Sequence, residues 1–321
     1  MKNILLKKVS ELENEGIELM KNLIRINAVG PKNNGPGENE KAKFLKEYLQ
    51  NLGIEEIKEY PAPDASVAGG TRPNLVALIP GQNRDQKLWL ISHMDIVPEG
   101  DRSKWATDPF EPVIRDGKIY GRGSEDNHQG LVSSLLTVKA FLASGIMPHY
   151  TIGLAFVSDE ETGSTFGLEY LVNNHPDIFA KEDIVIIPDA GANDGSMIEI
   201  AEKSIMWVKI KTIGKQVHAS LPDLGINAFR AASHLVVELE NLRHLYNTRD
   251  DVFDPPQSTF EPTKKEANVP NINTLPGEDV FYLDCRILPN YGIEEVFAAI
   301  RKMADKIETK FLCQPDCRVV F

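Results

Sequence analysis

Six side chains in this sequence have types and spacings that could hold metal ions and work on a water molecule. His93 and Asp95 occur in SHMDIVPEG, Asp126 in GRGSEDNHQG, Glu160 and Glu161 in SDEETGS, and Asp189 in IIPDAG. Imidazole with carboxylate and no thiolate suits zinc, cobalt or manganese, and several carboxylates in one place can hold two ions that share a bridge. Two ions about 3.5–4 Å apart are suited to activating water and stabilising the oxyanion that forms in hydrolysis. His93 and Asp95 are two apart, so on a strand they point the same way and Asp95 can accept the second N–H of His93. Glu160 and Glu161 are neighbours that a regular strand would point apart, so one can ligate while the other serves as general base.

Such groups need a scaffold that brings them together. The apolar runs Leu88–Ile91, TIGLAFV and DIVII each end just before one of the clusters, with helical patterns between them. Nearly continuous apolar strands alternating with helices predict a sheet covered on both faces, with its site beyond the carboxyl ends of the strands. Residues 4–27 read as helix with a break near Gly16, and a second amphipathic helix ends at Gly53. NLVALIPG and KLWLIS read as strands around the turn GQNRDQ, and Gly130–Ser144 and FGLEYLVNNH as helices. From Ser204 the order becomes β-α-β-β-α-β: IMWVKIKTIG, INAFRAASHLVVELENL, ANVPNINTLPG, EDVFYLDCRILP, IEEVFAAIRKMADKIETK and CRVVF. The expected fold is α/β: a mainly parallel, helix-covered domain over residues 1–203, and a ferredoxin-like domain over 204–321.

Composition narrows the partners. With 321 residues, 42% apolar and 26% charged, the chain can bury full cores. A formal net charge of −12 argues against nucleic acid or an anionic membrane as partner. The opening MKNILLKKVSELENEG has no uninterrupted apolar stretch, so neither a signal peptide nor a membrane span is expected there, and the expected location is cytoplasmic. The odd set Cys285, Cys313 and Cys317 fits reduced thiols better than a disulfide scaffold, and Cys313 with Cys317 has no second pair for a zinc clip.

In order, SHMDIVPEG, GRGSEDNHQG, SDEETGS, IIPDAG, GKQVHASLPDLGINA, NTLPG and DCRILP resemble a known family. It is the dinuclear-zinc amidohydrolase and peptidase family of acetylornithine deacetylase, succinyl-diaminopimelate desuccinylase, aminoacylase, carboxypeptidase G and cytosolic dipeptidases. The resemblance implies a zinc-peptidase-like catalytic domain followed by a lid and dimerisation domain, hence a homodimer through residues 204–321. It implies two Zn²⁺, with Co²⁺ or Mn²⁺ as alternatives. His93 and Asp189 would hold one ion, Asp126 would bridge, and Glu161 would hold the other. Glu160 would be the general base and Asp95 would orient His93. A cis peptide would follow Asp126. His218 would be a lid histidine that polarises the scissile carbonyl, often across the dimer; Asn273 would meet substrate, and Arg286 would be structural.

The activity so implied is hydrolysis of the amide bond of an N-acyl amino acid or a short peptide, of deacetylase or desuccinylase type. The alternatives are a dipeptidase or carboxypeptidase of the same family, or a non-catalytic dimeric module. Two departures stand out. Asp126 is followed by Asn127-His128-Gln129-Gly130 instead of the family's Met-Lys-Gly or Asp-Lys-Gly run, leaving His128 as an extra ligand or the start of a helix. The family's later histidine and its carboxylate-reading arginine region find no match here, and none of His128, His149, His175, His234 or His244 lies in such a motif. One metal ligand is therefore expected from further polypeptide or from another chain.

Overall fold

The structure is a computed structural model that describes residues 1–321 except Asn193 and Cys313, so the expectation for Cys313 lies outside the described residues. Cys285 and Cys317 are free and buried, and burial pushes the Cys285 thiol up to about 12. The chain divides into two compact units, Met1–Met197 and Ile198–Phe321. No helix among the described residues is long and apolar enough to cross a membrane.

In the first unit, helices α1 (Lys2–Glu11), α2 (Glu13–Arg25) and α3 (Asn39–Asn51) lead to strands β1 (Glu56–Glu59), β2 (Leu75–Ile79) and β3 (Asn83–His93). Helix α4 (His128–Ser144), strand β4 (Tyr150–Val157), helix α5 (Leu168–Asn174) and strand β5 (Ile184–Ile186) follow. The break in the first helical stretch falls at Leu12, not near Gly16. Gly16 lies inside α2 against α4, where a Cβ would come 2.9 Å from Leu136 Cδ1, so that glycine permits close helix packing.

The sheet order is β1-β2-β4-β3-β5. Pairing is antiparallel for β1–β2 and β2–β4 and parallel for β4–β3 and β3–β5, so only β2 runs against the other four strands. Alternation along β3 explains the two layers: Leu90 joins α2, α3 and α4 through Leu23, Leu45 and Leu131, while Trp89 and Ile91 join Leu171 of α5. Strand β5 is an edge strand whose Ile184, Val185 and Ile186 are 41–48% exposed, so the run expected to be covered on both faces is open.

The second unit contains β6 (Ser204–Ile213), α6 (Ala228–Leu239), β7 (Thr259–Lys265), β8 (Glu278–Ile287), α7 (Ile293–Phe311) and β9 (Arg318–Val320). Its antiparallel sheet has the order β7-β8-β6-β9, the ferredoxin-like arrangement. Along β8 buried residues alternate with exposed or part-exposed ones, and Phe281, Leu283, Cys285 and Ile287 pack on α6 and α7. The second strand is TFEPTKK, not ANVPNINTLPG. Two lysines, a glutamate and Pro262 hide the period-2 pattern, and β7 tolerates that proline because it is an edge strand with a register shift between Pro262 and Lys264. Of the segment expected to be that strand, Thr274–Leu275 instead pairs with Val217–His218 in a separate two-stranded ladder.

Candidate metal centre

His93 is the last residue of β3 and is 3% exposed. Its Nδ1 lies 3.0 Å from the Asp95 carbonyl oxygen and 3.3 Å from Asp95 Oδ1, while Nε2 lies 2.8 Å from Asp126 Oδ1. Asp126 hangs on the turn between β3 and α4, where Gly123 takes a φ of +79° and a Cβ would lie 2.7 Å from Ile96 Cγ2. The Asp126–Asn127 peptide is cis, as the resemblance implied. Asn127 then donates to Asp189 Oδ1 at 2.5 Å and to the Pro188 carbonyl at 3.3 Å, tying the end of β5 to the start of α4. Gln129 adds a bond of 2.7 Å to the same carbonyl. Asp189 Oδ2 is thereby 3.9 Å from His93 Nε2. His93, Asp126 and Asp189 each present a ligand atom, all within 4.8 Å of one another.

The two glutamates arrive differently from the expectation. They lie past the end of β4 on a single 3₁₀ turn, Glu160–Thr162, after Asp159 takes a left-handed φ of 63°. The strand rule that neighbours point apart does not govern them. Their backbone amides donate to the two oxygens of Asp95, Glu160 at 3.1 Å and Glu161 at 3.0 Å. Asp95 therefore links His93 to the glutamate turn, anchoring one with its carbonyl and the other with its carboxylate. Glu160 Oε2 lies 3.9 Å from His93 Nε2, and Glu161 Oε1 is buried with no hydrogen-bond partner.

Five carboxylates around one imidazole set the electrostatics. Burial opposes a charged His93, but hydrogen bonds to Asp126 and Asp95 and the charges around it outweigh that and push it up to about 10. Asp126 is held low, chiefly by its hydrogen bond to His93. Burial, followed by the Asp126 charge, raises Glu161 to about 7, and burial also raises Glu160. Crowded carboxylates, one of them with an orphaned buried oxygen, are the surroundings a divalent cation would relieve, and oxygen donors with imidazole suit a zinc-like ion. The residues present fit such a group.

His128 is the first residue of α4, fully buried, with Nε2 2.6 Å from Lys41 Nζ. That contact occupies Nε2, while Nδ1 is buried without a hydrogen-bond partner. His149 and His175 pack edge-on against tyrosines, His234 stacks on Phe311, and His244 is exposed. His218 and Asn273 lie in the second unit as exposed neighbours, 3.5 Å apart, with His218 Nδ1 bonded to Ser220 Oγ at 2.7 Å. Arg286 forks onto Asp284 within β8.

Sequence reasoning gave no role to Glu38, Lys41, Arg72 or the side chain of Asn127, all 0–1% exposed. A signal existed for Lys41: it stands four residues before Leu45 and eight before Leu49, on the buried stripe of α3.

An α/β sheet that gathers carboxylates and one imidazole past its strand ends, followed by a ferredoxin-like unit, defines a metal-dependent hydrolase of the peptidase and amidohydrolase class. Two family profiles match the chain: a peptidase dimerisation domain over residues 200–310, and peptidase family M28 over residues 74–238. A protein of Methanocaldococcus jannaschii described as an uncharacterized metallohydrolase is 49% identical over 308 residues, 94% of this chain and 74% of that protein. A succinyl-diaminopimelate desuccinylase of Delftia acidovorans is 28% identical over 292 residues, 90% of this chain and 72% of its own length. Among solved structures, a di-peptidase of Saccharomyces cerevisiae aligns with a TM-score of 0.67 at 18% identity, over 99% of this chain and 78% of that one. An M20 family metallo-carboxypeptidase of Sulfolobus solfataricus gives a TM-score of 0.67 at 19% identity, over 95% and 77%. At those identities the structures bear on the fold alone. The chain belongs to the metallopeptidase family that includes the desuccinylases.

Proposed function

We propose that this chain hydrolyses the amide bond of an N-acyl amino acid, of deacetylase or desuccinylase type, or of a short peptide. The observation that carries the reading is the cluster of His93, Asp126 and Asp189 within 4.8 Å, with Glu160 3.9 Å from His93 and Glu161 Oε1 unpartnered beside it. His93 and Asp189 would hold one divalent ion, Glu161 a second, and Asp126 would bridge. Two ions, Zn²⁺ with Co²⁺ or Mn²⁺ as alternatives, would supply Lewis acidity and lower the pKa of water.

The chain's own residues supply the rest. Glu160, with a proton affinity raised by burial, takes a proton from the attacking water at its carboxylate and returns it to the leaving amine. Asp95 fixes the ring of His93 through its carbonyl and fixes the Glu160 backbone through its carboxylate. In the second unit, His218 with Asn273 is suited to meet the carbonyl oxygen of the substrate, in a homodimer formed through residues 204–321. The desuccinylase relative supports the acyl-amino-acid class, and the peptidase profiles support the peptide alternative.

Glu160→Gln is the test, run with acetylated and succinylated amino acids and dipeptides in excess Zn²⁺ or Co²⁺. It is expected to lower kcat by about 10²–10⁴-fold, the usual weight of general acid–base catalysis, while metal content by elemental analysis stays unchanged. Retained turnover would remove Glu160 as the base. A wild-type chain that binds metal yet cleaves no member of the panel would favour the non-catalytic dimeric module.

A further inference from the structure

We propose that Arg72 is a positioning residue that holds the Glu160–Glu161 turn from beneath, through a buried ion cluster with Glu38 and Asp159. The consequence for metal binding rests on the functional reading above; the mechanical claim does not.

Arg72 is 1% exposed, and Glu38 and Asp159 are 0% exposed, so none of the three can touch substrate. The guanidinium grips Glu38 with two nitrogens, Nε to Oε2 at 2.6 Å and Nη2 to Oε1. Its third nitrogen, Nη1, lies 3.6 Å from Asp159 Oδ1 and 3.5 Å from Asp64 Oδ2. One cation thus faces three carboxylates in a buried site, an arrangement that suits a fork-shaped donor.

Asp159 is the residue before Glu160 and organises the turn. Its carboxylate accepts from Thr162 Oγ1 and from the Phe166 amide at 3.2 Å, and its carbonyl accepts from the Ser164 amide at 2.6 Å. The residues after Arg72 clamp the ends of the same loop. Asn74 accepts from the Ser158 amide at 3.1 Å and donates to the Phe166 carbonyl at 2.8 Å, while Ser158 Oγ donates to the Pro73 carbonyl at 2.5 Å. Further attachments of the turn are Asp95, which receives the Glu160 and Glu161 amides, and Lys32, whose Nζ donates to the Thr162 carbonyl at 2.8 Å. The two glutamates are therefore held between two carboxylates, Asp159 below and Asp95 beside them, and Arg72 fixes the lower one. Buried ion clusters contribute little net stability against well-packed apolar replacements. What this one specifies is where residues 158–166 sit.

The test compares Arg72→Lys and Arg72→Met with the native chain by hydrogen exchange and by Co²⁺ titration followed in the visible d–d spectrum. Both variants are expected to fold by circular dichroism and to exchange at least tenfold faster in residues 158–167, with β3 and β4 unchanged. Co²⁺ affinity is expected to fall about 10–100-fold with an altered spectrum, the usual effect of removing a residue that orients ligands. A folded Arg72→Lys chain with native exchange and a native Co²⁺ isotherm would overturn the proposal. If Arg72→Met does not fold, Arg72→Lys decides, because it keeps the charge and loses only the fork. If the native chain binds no Co²⁺, the metal reading fails, and the exchange of residues 158–167 alone confirms or overturns the positioning role.

Discussion

An ammonium enclosed with an imidazole costs free energy that an apolar side chain would not. Lys41 is fully buried with its Nζ 2.6 Å from His128 Nε2, and burial lowers its pKa from 10.5 to about 7 against the opposing charges of Asp95 and Glu38. Between about pH 7 and 10.5 the unfolded chain holds this proton more tightly than the folded one, so the Lys41 contribution to stability rises with pH across that window. Lys41→Met removes the titration. Its stability relative to wild type is expected to be most favourable near pH 7 and to decline towards pH 9.5, at up to about 1.4 kcal/mol per pH unit. Urea unfolding of both chains checks this, and parallel pH curves would show that Lys41 is not held as described. The legibility of individual residues follows the same physics. His93 and Asp189 could be read because apolar runs lead into them, and Asp126 because glycines frame its turn. Lys41, Glu38 and Arg72 escaped because an isolated charged residue in a helix or loop is usually solvated, and only the completed fold encloses them.

At the scale of elements, β2 to β5 of the first unit were readable from their apolar runs, whereas β1 (EIKE) and β7 were not, because these edge strands carry charge and, in β7, proline. The glutamate turn was also hidden, since nothing local distinguishes a strand end from one 3₁₀ turn after a left-handed residue. One packing contact in the sheet bears on the site. Gly153 of β4 is paired with Trp89 of β3, and a Cβ there would lie 2.3 Å from Trp89 Cε3. Trp89 Nε1 donates to Asp183 Oδ2 at 2.9 Å, just before the strand that leads to Asp189. Gly153→Ala would displace the indole and with it the Asp183 contact that precedes β5. The substitution is expected to cost about 1–3 kcal/mol, the usual cost of overpacking, and to weaken Co²⁺ binding through displacement of Asp189. Denaturant melts and Co²⁺ titration together decide: unchanged stability would show that the sheet absorbs the methyl group without moving Trp89.

For the whole molecule, the two units have separate cores, one set built on Leu23, Leu90 and Phe156 and the other on Ile210, Leu283 and Ile300. The five carboxylates of the centre all belong to Met1–Met197, in a chain whose net charge is already −12. Without a cation, their mutual repulsion is a cost borne by that unit alone. A ligand that binds only the folded state adds RT ln(1 + [L]/Kd), or about 2.7 kcal/mol at a hundred times Kd. Metal should therefore stabilise one unit and leave the other where it was. The tryptophans allow the two to be followed separately, because Trp89 and Trp105 lie in the first unit and Trp207, 72% exposed, in the second. In a Trp207→Phe chain, the fluorescence melt should rise by several degrees when Zn²⁺ or Co²⁺ is added to chelator-treated protein. In a Trp89→Phe/Trp105→Phe chain, the Trp207 signal should melt at the same temperature with and without metal. A shift of the Trp207 transition alone would place the metal outside the His93 cluster. Equal shifts of both would show that the units unfold as one and that the division of cores does not carry through to their energetics.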